Sequence, residues 1–445
     1  NFSHGTPQDH MGRAERVRAA AAAVGRTVGI LVDLQGPKIR VRKFEHDKIE
    51  LKKGDKFILD AAWEGLGNQE RVGLDYKELP NDVSKGSVLL LNDGMLEFTV
   101  TEVKGTEVHC KVVRGGILSN NKGINRKGGG LTAPALTDKD KEDIKTAALI
   151  HADFLAVSFP RSAEDMKYAR ELMHAAGGKA LLVAKIERAE AIPVLGEIID
   201  ASDAIMVARG DLAVEVGNAS VPGLQKRMIK MARAKNKLAI TATQMMESMI
   251  TNPIPTRAEV SDVANAVLDG TDAVMLSAET AVGEYPVETV EAMARICIQA
   301  EKEREDFGPD QRLTQSKFSR MDQSIAMSAL YAASHFKVKA IIALTQSGST
   351  ALWMSRVNAG VPIYALTPIP ATLTKVTLFS GVHPIEFHSN GRGKAEEWYQ
   401  IEETLLDLRL VEEGDIVVLT MGEAAGRSGH TNTLKILRVG DHSKG

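Results

Sequence analysis

Leu181-Leu182-Val183-Ala184-Lys185-Ile186-Glu187-Arg188 is an apolar run that ends in charge, and after one helical interval Ala204-Ile205-Met206-Val207-Ala208-Arg209-Gly210-Asp211 repeats the pattern. Both runs are continuously apolar rather than alternating, which is how a strand reads when helices cover both faces of a parallel sheet. Outward from this pair, further runs at 153–158, 238–243 and 273–277, and an earlier one at 27–33, pass directly into polar or glycine-bearing residues, with amphipathic stretches between them. This alternation predicts an α/β chain built on a (β/α)8 barrel, which closes with eight strands. Six are legible, and Asn1-Phe2-Ser3-His4-Gly5-Thr6 reads as a strand end entering a loop, so upstream residues bearing two more strands are expected. An open doubly wound sheet is the alternative.

Between 41 and 130 the character changes to short alternating runs such as Ile49-Glu50-Leu51-Lys52, broken by Gly54-Asp55, Asn92-Asp93-Gly94 and Gly115-Gly116. This predicts a small inserted β-barrel domain. Because it interrupts the barrel just after a strand's carboxyl end, it is expected over the face where barrel active sites are built, as a lid. The acidic stretch 301–320 reads as a linker, and strands expected at 340–344, 363–366, 384–387, 416–419 and 434–439 alternate with helical segments in a C-terminal α/β domain. The expected domains are therefore 1–40 with 131–310, then 41–130, then 321–445.

Composition narrows the function classes. The chain has 445 residues, 44% of them hydrophobic and 25% charged, the profile of a globular protein with several cores. A net charge of -3 leaves no broad basic face for nucleic acid. Cys110 and Cys297 are far apart with no CxxC partner, which argues against a disulfide framework or a zinc site and for a reducing compartment. No apolar run approaches the roughly 18 to 20 residues of a membrane span, so a cytoplasmic protein without a membrane partner is expected.

Chemistry concentrates at the strand ends. Period two places Lys185 and Glu187 on one side of their strand, aimed at the barrel mouth, and Asp211 arrives from the next strand end. Two carboxylates with positions left for water and substrate suit magnesium or manganese. A buried Lys–Glu ion pair is the plainer reading, but charge at the carboxyl ends of barrel strands belongs more often to catalysis. Gly210 offers backbone N–H groups to an anion, and Thr243 adds a hydroxyl at the next strand end, where a helix cap is the ordinary role.

Leu181 through Arg188 closely resembles the active-site signature of pyruvate kinases. Asn1-Phe2-Ser3-His4-Gly5, Asp33-Leu34-Gln35-Gly36-Pro37-Lys38-Ile39-Arg40, Met206 through Leu212, and the run from Ala242 through Glu247 to Pro255-Thr256-Arg257-Ala258-Glu259 extend the likeness in family order over essentially the whole chain. The resemblance implies phosphoryl transfer from phosphoenolpyruvate to ADP, giving pyruvate and ATP in the last step of glycolysis. It implies that Glu187 and Asp211 hold Mg2+ or Mn2+, and that Lys185 stabilises charge on the phosphoryl group and enolate. By the same likeness the substrate carboxylate lies against the backbone of Ala208, Arg209, Gly210 and Asp211 and the Thr243 hydroxyl, with Thr243 a candidate for guiding the enolate's proton. Arg40 would act on the transferring phosphoryl side, with Asn1, His4, Arg40 and Lys122 of the lid on the nucleotide.

Many members of the family also need potassium, held by residues corresponding to Asn1, Ser3, Asp33 and the carbonyl of Leu34. Here Lys38 stands where potassium-dependent members usually have Glu, and a fixed ammonium at that point is expected to make the chain independent of K+. A solvated lysine is the alternative. Thr345-Gln346-Ser347-Gly348-Ser349-Thr350, between a strand and a helix, resembles the family's effector site for a phosphorylated activator, closed by a loop including Arg427 and Gly429; an ordinary capped helix start is the alternative. Homotetramers are expected from the same resemblance. Two rivals remain: a metal-dependent barrel lyase acting on phosphoenolpyruvate or pyruvate, and a catalytically silent phosphometabolite sensor. Neither needs the lid, the third domain and an intact Lys185, Glu187 and Asp211 together.

Overall fold

Five of the apolar runs form one parallel ladder, Leu31–Asp33, Phe154–Val157, Leu181–Ile186, Ala204–Ala208 and Leu238–Ala242, each paired with the next in sequence order. The register sets Asp33 beside Ala156, Val157 beside Ala184, Lys185 beside Met206 and Ala208 beside Ala242, so the polar strand ends gather along one edge of the sheet. The first strand is shorter than its apolar run, covering Leu31–Asp33 but not 27–30, where Gly29 has no side chain to pack. In this computed structural model residues 1–305, 318–357, 360–390, 394–422 and 430–441 are described.

The intervening helices start where the sequence provides caps. Thr137 accepts from the Asp140 backbone while Asp140 reaches back, a capping box that opens helix Asp138–Leu149. Ser162 caps Ala163–Ala175, which buries Met166, Ala169 and Met173. These elements belong to one compact unit, Asn1–His10 with Leu31–Gln244.

The inserted β segment lies in the same unit. Its main sheet runs in the order Arg71–Gly73, Lys56–Asp60, Glu107–Arg114, Leu96–Lys104, Val88–Leu91 and Ile124–Arg126, with Lys48–Leu51 and Gly116–Ser119 forming a separate pair. Phe57, Leu59, Leu89, Leu91, Phe98, Val108 and Val112 share its buried core. Each such side chain, once removed from water, contributes on the order of 1.5–3 kcal/mol. The segment's two connections run side by side: Ile124 N–H donates to Ile39 O at 2.8 Å and Val41 N–H to Lys122 O at 2.9 Å, giving a two-stranded stem.

The second unit comprises Met11–Ile30 and Met245–Gly445. Helix Arg257–Asp269 opens on a Thr256–Glu259 capping box and closes at Gly270 in the left-handed region. It packs Val263 and Ala266 against Met245, Met246, Met249, Ala292 and Met293. The C-terminal sheet has the order Val382–Glu386, Ile363–Thr367, Ala340–Leu344, Ile416–Gly422, Thr431–Arg438. The first four strands are parallel, whereas Thr431–Arg438 returns antiparallel to Ile416–Gly422. The interval between those two is shorter than the dozen or so residues a parallel crossover needs.

Candidate active site

The strand ends assemble a compact ionic cluster. Lys185 Nζ lies 3.2 Å from Glu187 Oε1 and 3.0 Å from Asp33 Oδ1, with its side chain 12% exposed. It also donates to Ser158 Oγ at 2.9 Å, and that hydroxyl donates in turn to the Leu34 carbonyl at 2.7 Å. Glu187 Oε2 accepts the Phe159 backbone N–H at 2.9 Å. Lys38 Nζ stands 3.7 Å from Asp211 Oδ1. The shared face of Lys185 and Glu187, expected from period two, is thus what the strand produces, with Asp211 close enough to repel Glu187.

Burial opposes the charge on Lys185, but the Glu187 and Asp33 carboxylates outweigh it and hold the ammonium above its usual value. Burial pushes the Glu187 carboxyl up to about 7; Lys185 opposes that rise, and Asp211 and Asp33 add to it. Three carboxylates therefore face two ammoniums, Lys185 and Lys38, and one buried atom, Asp33 Oδ1, has no aligned hydrogen-bond donor despite the nearby ammonium. This is a deficit of positive charge that a divalent cation would fill. Among the described residues no group of three or more His, Cys, Asp or Glu is spaced to hold a metal unaided. Glu187 and Asp211 would thus supply part of a coordination sphere that substrate oxygens and water complete, the open arrangement typical of magnesium.

Backbone geometry at the strand ends is costly in two places. Gly36 has φ +68°, and a Cβ there would meet the Ser158 Cβ at 2.7 Å, so only glycine lets the 34–37 turn approach Ser158 this closely. Thr243 and Gln244 are both left-handed, at φ +64° and +53°, an outlier conformation for β-branched Thr243. Arg209 holds it: Nε donates to the carbonyls of Ala242 at 3.3 Å and Thr243 at 3.2 Å, and Nη2 to those of Thr243 at 2.7 Å and Gln244 at 3.1 Å. The Arg209 side chain is therefore engaged with this turn. The Thr243 hydroxyl accepts from Gly210 N–H at 2.9 Å and donates to Ala242 O at 2.7 Å. Two donors expected to meet a substrate carboxylate, Gly210 N–H and the Thr243 hydroxyl, are thus both engaged here, and the hydroxyl must turn for Gly210 N–H to reach a ligand.

The remaining expected residues fall into two groups. Arg40 and Lys122 come together on the lid stem: Arg40 bridges Gly123, its Nη1 donates to Asn121 O at 3.2 Å, and its backbone N–H donates to Asp75 Oδ1 at 2.7 Å. Arg40 Nε is buried with no partner among the described residues. The 1–4 segment is drawn to the cluster through Phe2 N–H, which donates to Asp33 O at 2.9 Å; Asn1 Oδ1 accepts Ser3 N–H, and His4 is exposed. Leu34 O, expected as a monovalent-ion ligand, accepts the Ser158 hydroxyl at 2.7 Å. Ser158 and the Phe159 N–H were missed by sequence reasoning, although Ser158 closes the apolar run at 153–158.

In the second unit, Gly348 is left-handed at φ +79°, and its N–H donates to Thr345 Oγ1 at 2.9 Å. Ser347 Oγ and Ser349 Oγ are 2.7 Å apart, and Thr350 Oγ1 is 2.7 Å from Thr431 Oγ1. Two side chains not foreseen tie this turn down, Thr372 on the Gln346 carbonyl and Lys375 on the Ser347 carbonyl. Arg427 and Gly429 lie outside the described residues.

Residues 1–290 match the pyruvate kinase barrel domain and residues 323–437 the pyruvate kinase alpha/beta domain. The chain is 55% identical over 444 residues to pyruvate kinase II of Salmonella typhimurium, covering 99% of this chain and 92% of that protein. It is 55% identical over 427 residues to a pyruvate kinase of Haemophilus influenzae (95% and 89%) and 41% identical over 446 residues to one of Mycobacterium tuberculosis (99% and 92%). A parallel α/β core whose strand ends carry Lys185, Glu187 and Asp211, together with likeness over nearly its full length, makes this chain a member of the pyruvate kinase family.

Proposed function

We propose that the chain moves the phosphoryl group of phosphoenolpyruvate onto ADP, leaving pyruvate and ATP, with Lys185, Glu187 and Asp211 at the reacting centre. The observation that carries this reading is the buried Lys185 ammonium held between Glu187 and Asp33 beside an Asp211–Lys38 pair, a charge-rich site short of one cation. Phosphoryl transfer asks a protein chiefly for positioning and for positive charge around spreading negative charge. Held by Glu187 and Asp211, Mg2+ or Mn2+ would supply most of that charge. Lys185, fixed by three partners, keeps its ammonium oriented without reorganisation as charge builds on the phosphoryl and enolate oxygens. Rotation of the Thr243 hydroxyl frees Gly210 N–H for the substrate carboxylate, and the same hydroxyl, directly or through water, is suited to guide a proton to the enolate carbon. Arg40 and Lys122, adjacent on the lid stem, would meet the nucleotide phosphates, with Asn1 and His4 on the same side.

Three regulatory and physical features belong to this reading. Lys38 would take the place of K+ beside Asp211, so that the monovalent site of Asn1, Ser3, Asp33 and Leu34 is not needed. The turn at 345–350, whose hydroxyls and N–H groups are arrayed around Gly348, would bind a phosphorylated activator. The chain would act as a cytoplasmic homotetramer of three domains per subunit, 1–40 with 131–310, 41–130 and 321–445; among the described residues no helix is long and apolar enough to cross a membrane. Pyruvate formation from phosphoenolpyruvate tests the core reading. It should require both ADP and a divalent metal, and Lys185→Met should reduce kcat by about 100-fold or more, as expected when a group acting on transition-state charge is lost. Pyruvate release without ADP, or no release by the wild type, overturns it.

A further inference from the structure

The segment that returns the lid to the barrel is gripped almost one backbone group at a time. Gly128 N–H donates to Glu215 O at 3.1 Å, and Gly130 N–H donates to Glu190 Oε1. Arg188 Nη1 donates to both Leu131 O and Ala133 O at 3.3 Å, and Arg161 Nη1 to Thr132 O at 2.8 Å. Arg188 is 4% exposed and lies over the Phe159 ring. Gly129, at φ +80°, is where the Glu190 carboxylate nests: a Cβ at 129 would meet Glu190 Oε2 at 2.5 Å. Glu190 Oε2 is buried and has no hydrogen-bond partner among the described residues, so packing against glycine backbone, and not solvent, defines its place. Glu215 holds Ala189 N–H at 2.8 Å and also bonds Asn125 of the lid.

Three of these four grips grow from the elements that carry Glu187 and Asp211, and the fourth, Arg161, follows the neighbouring strand Phe154–Val157. Arg188 and Glu190 lie one and three residues after Glu187, and Glu215 is in the last turn of the helix Arg209–Val216, whose first turn holds Gly210 and Asp211. The lid's return is therefore seated largely on the same two elements that carry Glu187 and Asp211.

We propose that Glu190, flanked by Arg188 and Glu215, is a positioning residue for phosphoryl transfer, fixing the lid's return segment so that Lys122 is held at the nucleotide phosphates. Nothing in it touches substrate. The inference rests on the phosphoryl-transfer reading, and it predicts a selective defect: phosphoenolpyruvate is held by barrel groups, whereas the nucleotide depends on the lid stem.

The test uses the full chain with Glu190→Ala, Glu190→Gln and Gly129→Ala, measuring kcat, both KM values, and hydrogen exchange at amides 128–133 against the strand Leu181–Ile186. Glu190→Ala should raise exchange at 128–133 and KM for ADP each by about tenfold or more, as expected from losing a charge-assisted hydrogen bond to a backbone N–H. KM for phosphoenolpyruvate should stay within about twofold and the strand's exchange unchanged, since a local bond is removed. Gly129→Ala, whose methyl displaces the carboxylate, should give the same pattern, and it decides the matter should Glu190→Ala not fold. Glu190→Gln keeps an oxygen for Gly130 N–H and should restore most of both readouts. Unchanged exchange at 128–133, equal rises in the two KM values, or no recovery with glutamine would overturn the proposal. Should the wild type form no pyruvate, the reaction reading fails by itself, while the exchange measurement still shows whether Glu190 holds the segment.

Discussion

Arg356 and Asp272 offer the sharpest test of how the second unit is held together. Arg356 Nη1 lies 3.0 Å from Asp272 Oδ2 and Nη2 bonds Oδ1, with the two side chains 2% and 0% exposed. Asp272 Oδ1 also accepts Ser380 N–H at 3.2 Å, and Ser355 Oγ accepts from the guanidinium at 3.0 Å. Position 272 lies in the stretch matching the barrel domain and 356 in the stretch matching the alpha/beta domain, so this bidentate pair joins the two inside one unit. Removing one member of a buried pair strips the other of its counter-charge, and we expect Arg356→Met or Asp272→Asn to lose about 3–5 kcal/mol each. The double variant should lose no more than about 2 kcal/mol, because no buried charge is stranded and the new amide oxygen still accepts Ser380 N–H, giving a coupling of at least about 4 kcal/mol. Urea unfolding followed by tryptophan fluorescence would measure this. A Trp63→Phe background leaves only Trp353 and Trp398, both in the second unit, to report. Single-variant losses below about 1 kcal/mol, or additive losses, would refute the reasoning.

Three further outcomes follow from the first unit. Wild-type turnover at saturating ADP and magnesium should change less than about twofold on adding potassium, and Lys38→Met should make it potassium-dependent; a many-fold rise with the wild type would remove Lys38 as the substitute cation. Burial pushes the Glu215 carboxyl up to about 7 from an ordinary 4.5; Ala189 N–H and Arg188 oppose that rise and Glu190 adds to it. A raised carboxyl stabilises the fold fully below about pH 4.5 and loses that contribution as pH rises through about 7. Glu215→Gln should therefore gain about 1–3 kcal/mol on the wild type between pH 5 and 8 in urea titrations, and a constant difference across that range would sink the argument. Thr243→Gly relieves a left-handed β-branched residue and should stabilise by about 1 kcal/mol while lowering kcat by about tenfold or more; turnover at the wild-type rate would show that the hydroxyl is idle.

Much of this site was open to sequence reading because its logic is local. Lys185 and Glu187 share a face through strand period alone, and the continuous apolar runs could only be strands of a covered parallel sheet. What escaped depends on side chains from different strand ends meeting. Nothing near Ser158 in sequence says that its hydroxyl will link Lys185 to Leu34 O, and nothing near Arg209 says that its guanidinium will be spent on the carbonyls of 242–244. Glu190 was not singled out in the sequence, because its partner is a glycine N–H sixty residues earlier. The antiparallel last strand was hidden for the opposite reason: its apolar pattern fits either direction, and only the short interval before it decides.

Lys38 sits on the lid stem and yet reaches Asp211. An ion drawn from solution equilibrates with its surroundings, so its occupancy follows the ionic milieu. An ammonium on a covalent leash has no such freedom: it is present at full effective concentration in any salt, cannot be exchanged for a larger or smaller ion, and travels with the stem. Under this reading the cluster's charge balance is set by the chain's own stem instead of by the composition of the medium.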